Sequence, residues 1–256
     1  MNVPILLLIV LLVLMVAVGG ERGKKSFFTL CINFIMLFVL LISISNKMDP
    51  IRVTVYGCIA ISSVTLFYIN GVNRKTVSSL VSVILVVIVT ILITYRIGTD
   101  AKIQGFGNEQ YEGISHMSLY VQLNFNKIVI CEILLGLLGA IIDVSISISS
   151  AMNELYRNNR LIDKKSLLVS GINIGKDILG TMTNTLLFAY IGGFMALMVW
   201  FSVLEYSIPD ILNAKVFCSE VFQVLCSGIG IVLIIPVTAI ITASVMYVER
   251  PYKARG

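Results

Sequence analysis

The amino-acid sequence predicts an all-α membrane protein, a polytopic bundle of about seven transmembrane helices forming one integral domain over residues 1–256. Two observations predict this class. Hydrophobic residues make up 57% of the chain and charged residues only 13%, whereas soluble domains carry about 25% charge. The apolar residues also fall into separate runs, and about 20 of them suffice to cross the hydrocarbon core as a helix. Helices are expected because they satisfy their own backbone hydrogen bonds in lipid.

The first four runs occupy residues 1–95. They are residues 3–19, 27–45, 51–70 and 77–95. The first run is longer than the apolar part of a typical secretory signal peptide, and no Lys or Arg precedes it. We therefore expect it to remain in the protein as the first span.

The second part of the chain, residues 128–248, holds the remaining three predicted spans. They are residues 128–150, 178–201 and 229–248. Before the last of them, residues 214–227 carry Phe217 and Val221 on one face and Glu220 and Gln223 on the other. This pattern predicts a separate amphipathic helix in the membrane interface. The length of residues 213–248 alone also allows the alternative that this segment crosses the membrane twice.

The distribution of basic residues predicts the orientation. With seven spans, thirteen of the nineteen Lys and Arg residues fall on the side of the C-terminus and six on the side of the N-terminus. Cytoplasmic loops carry an excess of Lys and Arg. We expect the N-terminus outside, the C-terminus in the cytoplasm, a basic cytoplasmic loop near 152–177, and an outer loop, 96–127, that holds His116.

The charge and cysteine patterns exclude several classes of protein. The net charge of +5 does not predict nucleic-acid binding, since the basic residues are scattered between apolar runs. We expect anionic lipid to be their partner. The five cysteines form no C-x-x-C pair, which predicts free buried thiols and neither a disulfide nor a metal site. No cofactor is expected.

A stripe of small and charged residues runs along the fifth predicted span. Its members are spaced three or four residues apart and so share one helical face: Glu132, Gly136, Gly139, Asp143, Ser147, Ser150 and Glu154. We call this set the polar stripe. The rest of the helix is mostly aliphatic, and we expect that part to face lipid. Gly136 and Gly139 would allow another helix to approach closely.

The sixth predicted span carries a second set of small and polar residues, Asp177, Gly180, Thr181 and Asn184. Asp143 and Asn184 would both lie about 10 Å inside the cytoplasmic boundary on the rise of a helix. We therefore expect the two residues to share a contact, a water or an ion. A central Asp costs about 2.5–3.5 kcal/mol on membrane-insertion scales, and intramembrane acids commonly mark a pathway. The simpler interpretation is a hydrogen bond that only fixes helix packing.

Three segments resemble one protein family. GLLGAIIDVSISISSAMNEL (136–155), SGINIGKDILGTMTNTLLFAYIGG (170–193) and GIGIVLIIPVTAII (228–241) are similar to the YibE/F-like family of bacterial multi-span membrane proteins. The resemblance implies a bacterial cytoplasmic membrane protein of the short, YibF-like type, without the extracytoplasmic N-terminal region of long-type members. It also implies a partner, either a long-type YibE-like chain or a second copy. It implies no defined activity.

Two functions are consistent with these features. The first is a transporter or channel subunit for a small ion or solute, with Asp143 in a pathway reached from the cytoplasm. The second is a non-transporting assembly or regulatory partner, with the polar stripe as a dry interface. We do not expect an enzyme. Asp143 and Asp177 would lie about 10 Å apart along the membrane normal, and a catalytic pair of aspartates shares a proton at about 3 Å.

Overall fold

The computed structural model describes residues 3–100 and 125–247. Within these ranges the chain is helical and contains no strand, which confirms the all-α prediction. The helices are α1 (Val3–Ser45), α2 (Pro50–Asn70), α3 (Arg74–Asp100), α4 (Phe125–Asn158), α5 (Lys164–Gly193), α6 (Met195–Val203), α7 (Ile208–Asn213) and α8 (Lys215–Tyr247). Most of the predicted outer loop, including His116, lies outside the described residues.

Five of these helices are long and apolar enough to span a membrane, or six if α5 and α6, which meet at a 40° bend, form one span. The difference from seven arises in α1. Gly20 there has non-helical backbone angles (φ 55°, ψ −131°), so α1 consists of two helices joined at a break. The break separates the predicted runs 3–19 and 27–45. Only glycine adopts this positive φ at little cost.

Helix α8 differs from the prediction. It is continuous from Lys215 to Tyr247 and carries Pro236 in its interior. Residues 215–227 are therefore the first part of a single long helix, and the separate interfacial helix that we predicted over 214–227 is wrong. At 1.5 Å per residue the helix is about 50 Å long. An unbroken helix also excludes two crossings between residues 215 and 247.

The core forms where α3, α4 and α8 pack together around buried aliphatic side chains such as Val86, Leu137 and Ile234. Buried hydroxyls cross the same interfaces. Ser79 Oγ lies 2.6 Å from Ser149 Oγ, Thr238 donates to Ser145 at 3.1 Å, and Thr242 donates to Ser78 at 3.2 Å. Hydrogen bonds between transmembrane helices contribute about 0.6 kcal/mol each on average. These bonds hold the register of the three helices while aliphatic packing fills the space.

The remaining spans pack around this core. The second half of α1 lies against α2, where Asn33 Nδ2 donates to Thr65 Oγ1 at 3.0 Å. Helix α5 packs on α8 through two buried glycines, Gly171 and Gly175. A Cβ atom at Gly171 would lie 3.2 Å from the Cβ of Ala239. The lack of a side chain at these positions lets the two helices approach closely.

Candidate functional site

The polar stripe lies on one face of α4, but that face points out of the bundle. Glu132, Gly136, Gly139, Asp143 and Ser147 are exposed. The aliphatic positions between them, including Ile133, Leu137, Ile141 and Ile148, are fully buried. Our expectation that the aliphatic face of α4 meets lipid is therefore wrong. The reason is that α3 and α8 cover that face. Ser145 there donates to the backbone oxygen of Ser79 and accepts from Thr238, and Ser149 lies beside the hydroxyl of Ser79.

Asp143 lies near the middle of α4 and has no partner within the described part of the chain. The structure gives it no hydrogen bond or ion pair, and no hydrogen bond joins it to Asn184. Both side chains are exposed. The predicted Asp143–Asn184 contact is thus not formed within one chain.

The second predicted set, on α5, is exposed as well. Asp177, Gly180, Thr181 and Asn184 all lie on the surface of the single chain. Thr181 donates only to the carbonyl oxygen of Ile178 in its own helix, at 2.9 Å. A Cβ atom at Gly180 would have no neighbour within 4 Å. The structure therefore places the two predicted sets on outward faces and does not bring them together.

A polar cluster that the sequence analysis missed lies where α4, α5 and α8 meet. Tyr190 Oη is 3.0 Å from Ser227 Oγ. Gln223 is only 8% exposed. Gly136 provides the space for both, because a Cβ atom there would lie 2.5 Å from Tyr190 Oη and 3.4 Å from Gln223 Nε2. The first part of the polar stripe is thus joined to α5 and α8 by polar side chains.

Two carboxylates, Glu132 and Glu220, border this cluster and lie close enough to affect each other electrostatically. Neither has an ion-pair partner in the described residues. The sequence contained a signal for the cluster, since Glu220, Gln223 and Ser227 share one face of α8. We assigned that face to water, but it packs against protein, and the apolar side chain of Leu225 is exposed instead.

Lys127, the basic residue of α4 that is nearest in sequence to Glu132, forms an ion pair with Asp49 instead. Its Nζ lies 3.2 Å from Asp49 Oδ2. Asp49 also caps α2 by accepting a hydrogen bond from the N–H of Ile51 at 3.2 Å. This ion pair connects the start of α2 to the start of α4.

Three cavities in the described part of the bundle lie away from Asp143. An apolar groove of about 550 Å³ runs between α5 and α8, past Leu179, Leu186 and Gly228. A second groove of about 350 Å³ lies between α1 and α2. A small space of about 40 Å³ lies between α2 and α3. Asp143 lines none of these three. Within residues 3–100 and 125–247, no three His, Cys, Asp or Glu side chains are grouped to hold a metal ion.

Comparison with known proteins decides the family. A family model described as YibE/F-like protein matches residues 7–248. The chain belongs to the YibE/F-like family. The match extends well beyond the three segments that suggested it, since it also includes α1, α2 and α3. No curated protein and no solved structure matches this YibE/F-like protein. Family and fold together establish a multi-span helical protein of membrane type. Most residues of the polar stripe are exposed on α4.

Proposed function

We propose that this YibE/F-like protein is a subunit of a transport assembly for a small ion or solute in a bacterial cytoplasmic membrane. In this proposal the polar stripe of α4 faces another subunit and lines one side of the path. The partner is a second copy or a related long-type YibE-like chain. We propose no catalytic role for the chain.

The position of Asp143 carries the proposal. It lies 18 residues from the start of α4 and 15 from its end, or about 27 Å and 22 Å along the helix axis. A hydrocarbon core about 30 Å thick therefore includes Asp143 wherever that core falls along the 34 residues of α4. A lone chain would expose it to lipid, at a cost of about 2.5–3.5 kcal/mol on insertion scales. A second subunit or a water-filled path removes that cost.

The rest of the stripe fits a path for a small ion or solute. Glu132 lies eleven residues before Asp143, which is about 16 Å along α4. Gly139 and Ser147 lie on the same face and leave space beside Asp143. The charged groups of the stripe are few and well separated, which favours a proton, a metal cation or a small neutral solute over a large charged substrate.

The orientation is part of the proposal, with the N-terminus outside and the C-terminus in the cytoplasm. It is supported by the basic residues at the end of the bundle where α2 joins α3 and α4 joins α5. The connection from α4 to α5 carries Arg157, Arg160, Lys164 and Lys165.

A thiol-accessibility scan tests the path. Asp143→Cys, Ser147→Cys, Thr181→Cys and Asn184→Cys are made without the two partly exposed native cysteines, Cys31 and Cys218. Ile148→Cys, at a fully buried position beside Ser147, is the control. A wet path predicts labelling at positions 143 and 147 by a small water-soluble reagent from the cytoplasmic side, and none at 148.

Flux measurements then separate transport from assembly. In proteoliposomes that contain the complete complex, Asp143→Asn should reduce flux of the transported ion at least about tenfold, as expected when a path loses its only central charge. Unlabelled positions 143 and 147 in an assembled complex, with flux unaffected by Asp143→Asn, would contradict transport along the stripe. The second function, a dry assembly interface that uses the same exposed glycines, would then hold.

A further inference from the structure

The two ends of the bundle differ in charge. The excess of basic residues at one end comes from three separate connections between helices. The turn at Gly20 in α1, the connection 71–73 and the connection 159–163 lie at one end. The rings of Phe28 and Tyr68 are in tilted contact, with centroids 5.6 Å apart, which places the α1 turn at the same end as the end of α2. Ser79 contacts Ser149, which aligns the start of α3 with the end of α4. We call this end the basic end.

Nine basic residues and three acidic residues belong to the basic end. The basic ones are Arg22, Lys24, Lys25, Arg74, Lys75, Arg157, Arg160, Lys164 and Lys165, and the acidic ones are Glu21, Glu154 and Asp163. Two of the acids have other roles. Glu21 pairs with Lys24 at 2.9 Å, and Asp163 caps α5. At the opposite end the described side chains balance at five of each sign. The basic ones are Lys47, Arg52, Arg96, Lys127 and Lys215, and the acidic ones are Asp49, Glu132, Glu205, Asp210 and Glu220. Asp49 lies within 4.0 Å of both Lys127 and Arg52.

Each connection at the basic end also exposes an aliphatic side chain beside its basic residues. Leu161 is 92% exposed, Val18 is 89% exposed and Val72 is 77% exposed. Leu161 lies between Arg160 and the pair Lys164 and Lys165. Exposed aliphatic groups next to cations are typical of segments that lie at the boundary between headgroups and acyl chains.

The loop that carries Leu161 is held in place by several contacts. The N–H groups of Leu161 and Ile162 donate to Asn159, at 3.1 Å to Oδ1 and 3.2 Å to the backbone oxygen. Tyr247, at the end of α8, donates to the carbonyl oxygen of Ile162, and its ring lies 5.8 Å from that of Tyr156. The fold thus fixes a loop whose leucine packs on nothing in the described part of the chain.

From this arrangement we propose that the basic end binds anionic phospholipid headgroups, with Leu161 inserted at the shallow edge of the acyl region. Charge complementarity identifies the partner, since clusters of Lys and Arg next to transmembrane helices bind anionic lipids. The length of α4 agrees with this. Its 34 residues extend about 51 Å, which brings its ends to the headgroup layers of a bilayer about 40–45 Å thick. The inference needs the membrane location but not the transport role.

A single-tryptophan experiment tests the binding on the full chain. The protein has one tryptophan, Trp200, so Leu161→Trp combined with Trp200→Phe gives a reporter at the loop without altering a cysteine. The chain is placed in nanodiscs of phosphatidylcholine with a quarter phosphatidylglycerol. The acyl chains of one lipid or the other carry bromine, which quenches nearby tryptophan. We expect the brominated anionic lipid to quench about twofold more than the same amount of brominated phosphatidylcholine.

Two controls make the result specific. Adding Lys164→Gln and Lys165→Gln should remove the preference for the anionic lipid. A reporter at Ile208→Trp should show none, because Ile208 is also exposed but lies at the opposite end beside Asp210. Equal quenching by both lipids at position 161, or a preference that survives the Lys substitutions, would overturn the proposal. The absence of quenching by either lipid would also overturn it, and would indicate that the loop binds a soluble protein instead.

Discussion

Gly136 is the residue where the outward face of α4 meets the rest of the bundle. Its missing side chain admits the hydroxyl of Tyr190, which then bonds Ser227 on α8. Gly139 lies one turn along the same helix, and a Cβ atom there would have no neighbour within 4 Å. The two glycines therefore differ in role although they share a stripe, and only the first has a partner inside the described part of the chain.

The pair Gly136→Ala and Gly139→Ala tests this difference. Both substitutions raise helix propensity by a similar amount, so that contribution cancels in the comparison. Gly136→Ala must also displace the hydroxyl of Tyr190, which then loses its hydrogen bond to Ser227. The loss of such a bond lowers the free energy of unfolding by about 1 kcal/mol. We expect Gly136→Ala to be less stable than Gly139→Ala by about that amount in thermal unfolding in detergent. Equal stabilities would show that Tyr190 has room to move at no cost.

Asp163, the N-cap of α5, gives a prediction on pH. Hydrogen bonds from the hydroxyl and the backbone N–H of Ser166 lower the pKa of this carboxyl below its ordinary value of 3.8. The folded state thus favours the charged form. The resulting stabilisation is present above pH 3.8 and is lost as the pH falls through the lower, folded-state pKa.

We therefore expect Asp163→Ala to lower the melting temperature near neutral pH, and the gap to the native chain to close in acid. Melting curves from about pH 7 to about pH 2 measure this. Asp163→Asn is the matched control, because its amide oxygen can still cap the helix but does not titrate. A gap for Asp163→Ala that is constant over this range would contradict a charged cap.

Residue spacing predicted which side chains of α4 share a face, but not the direction in which that face points. Asp143 and Ser147 lie on one stripe as expected, since helical period follows from sequence alone. Which face other helices cover depends on long-range packing. In a membrane, lipid and protein interior are both apolar, so the aliphatic face of α4 was compatible with either. The small hydroxyls Ser145 and Ser149, on the covered face, were the available signal.

At the scale of helices, the contact of α5 with α8 depends on Gly175. A Cβ atom there would collide with Ile235, whose Cβ and Cγ1 would both lie 3.1 Å away. Isoleucine is branched at Cβ and has few alternative rotamers. The neighbour at Gly175 therefore has little freedom to move, unlike the flexible Met152 beside Gly171.

We expect Gly175→Ala to destabilise the protein by about 1–3 kcal/mol, the usual cost of overpacking a core. Gly180→Ala, five residues further along the same helix, is the control because its Cβ would have open space around it. Denaturation in detergent of the native chain and of each variant measures the difference in the free energy of unfolding. If Gly175→Ala were as stable as Gly180→Ala, the α5–α8 contact would be looser than the structure shows.

The length of α8 could not be predicted for a related reason. Residues 214–227 are less apolar than 229–248 and contain Glu220 and Gln223, which is typical of an interfacial helix. The structure instead buries Gln223 against Tyr190 of α5 and extends the helix without a break. Polar residues that bond to another helix and polar residues that face water look alike in one sequence.

For the molecule as a whole, the composition and the apolar runs predicted the class of fold, and the break at Gly20 falls between two predicted spans. The arrangement of the spans leaves Asp143 without a partner in the described part of its own chain. A membrane protein tolerates such a group if another subunit, water or an ion meets it, or if the carboxyl is protonated. In the proposed function another subunit meets Asp143, so the oligomeric state of the protein is the property to measure.

Cross-linking in native membranes measures that property through two adjacent residues. Ser147 is exposed on the polar stripe, whereas Ile148 is fully buried against the core. With Cys31 and Cys218 replaced, we expect Ser147→Cys to be trapped by a short thiol cross-linker in a species larger than one chain, and Ile148→Cys to stay monomeric. Val13→Cys, exposed on the first half of α1, reports random collisions in the membrane. A trapped species of twice the chain mass identifies a second copy, and another mass identifies a different subunit. Trapping at position 147 no greater than at position 13 would mean that the stripe faces lipid, and the cost of Asp143 would then have to be met by water or by protonation.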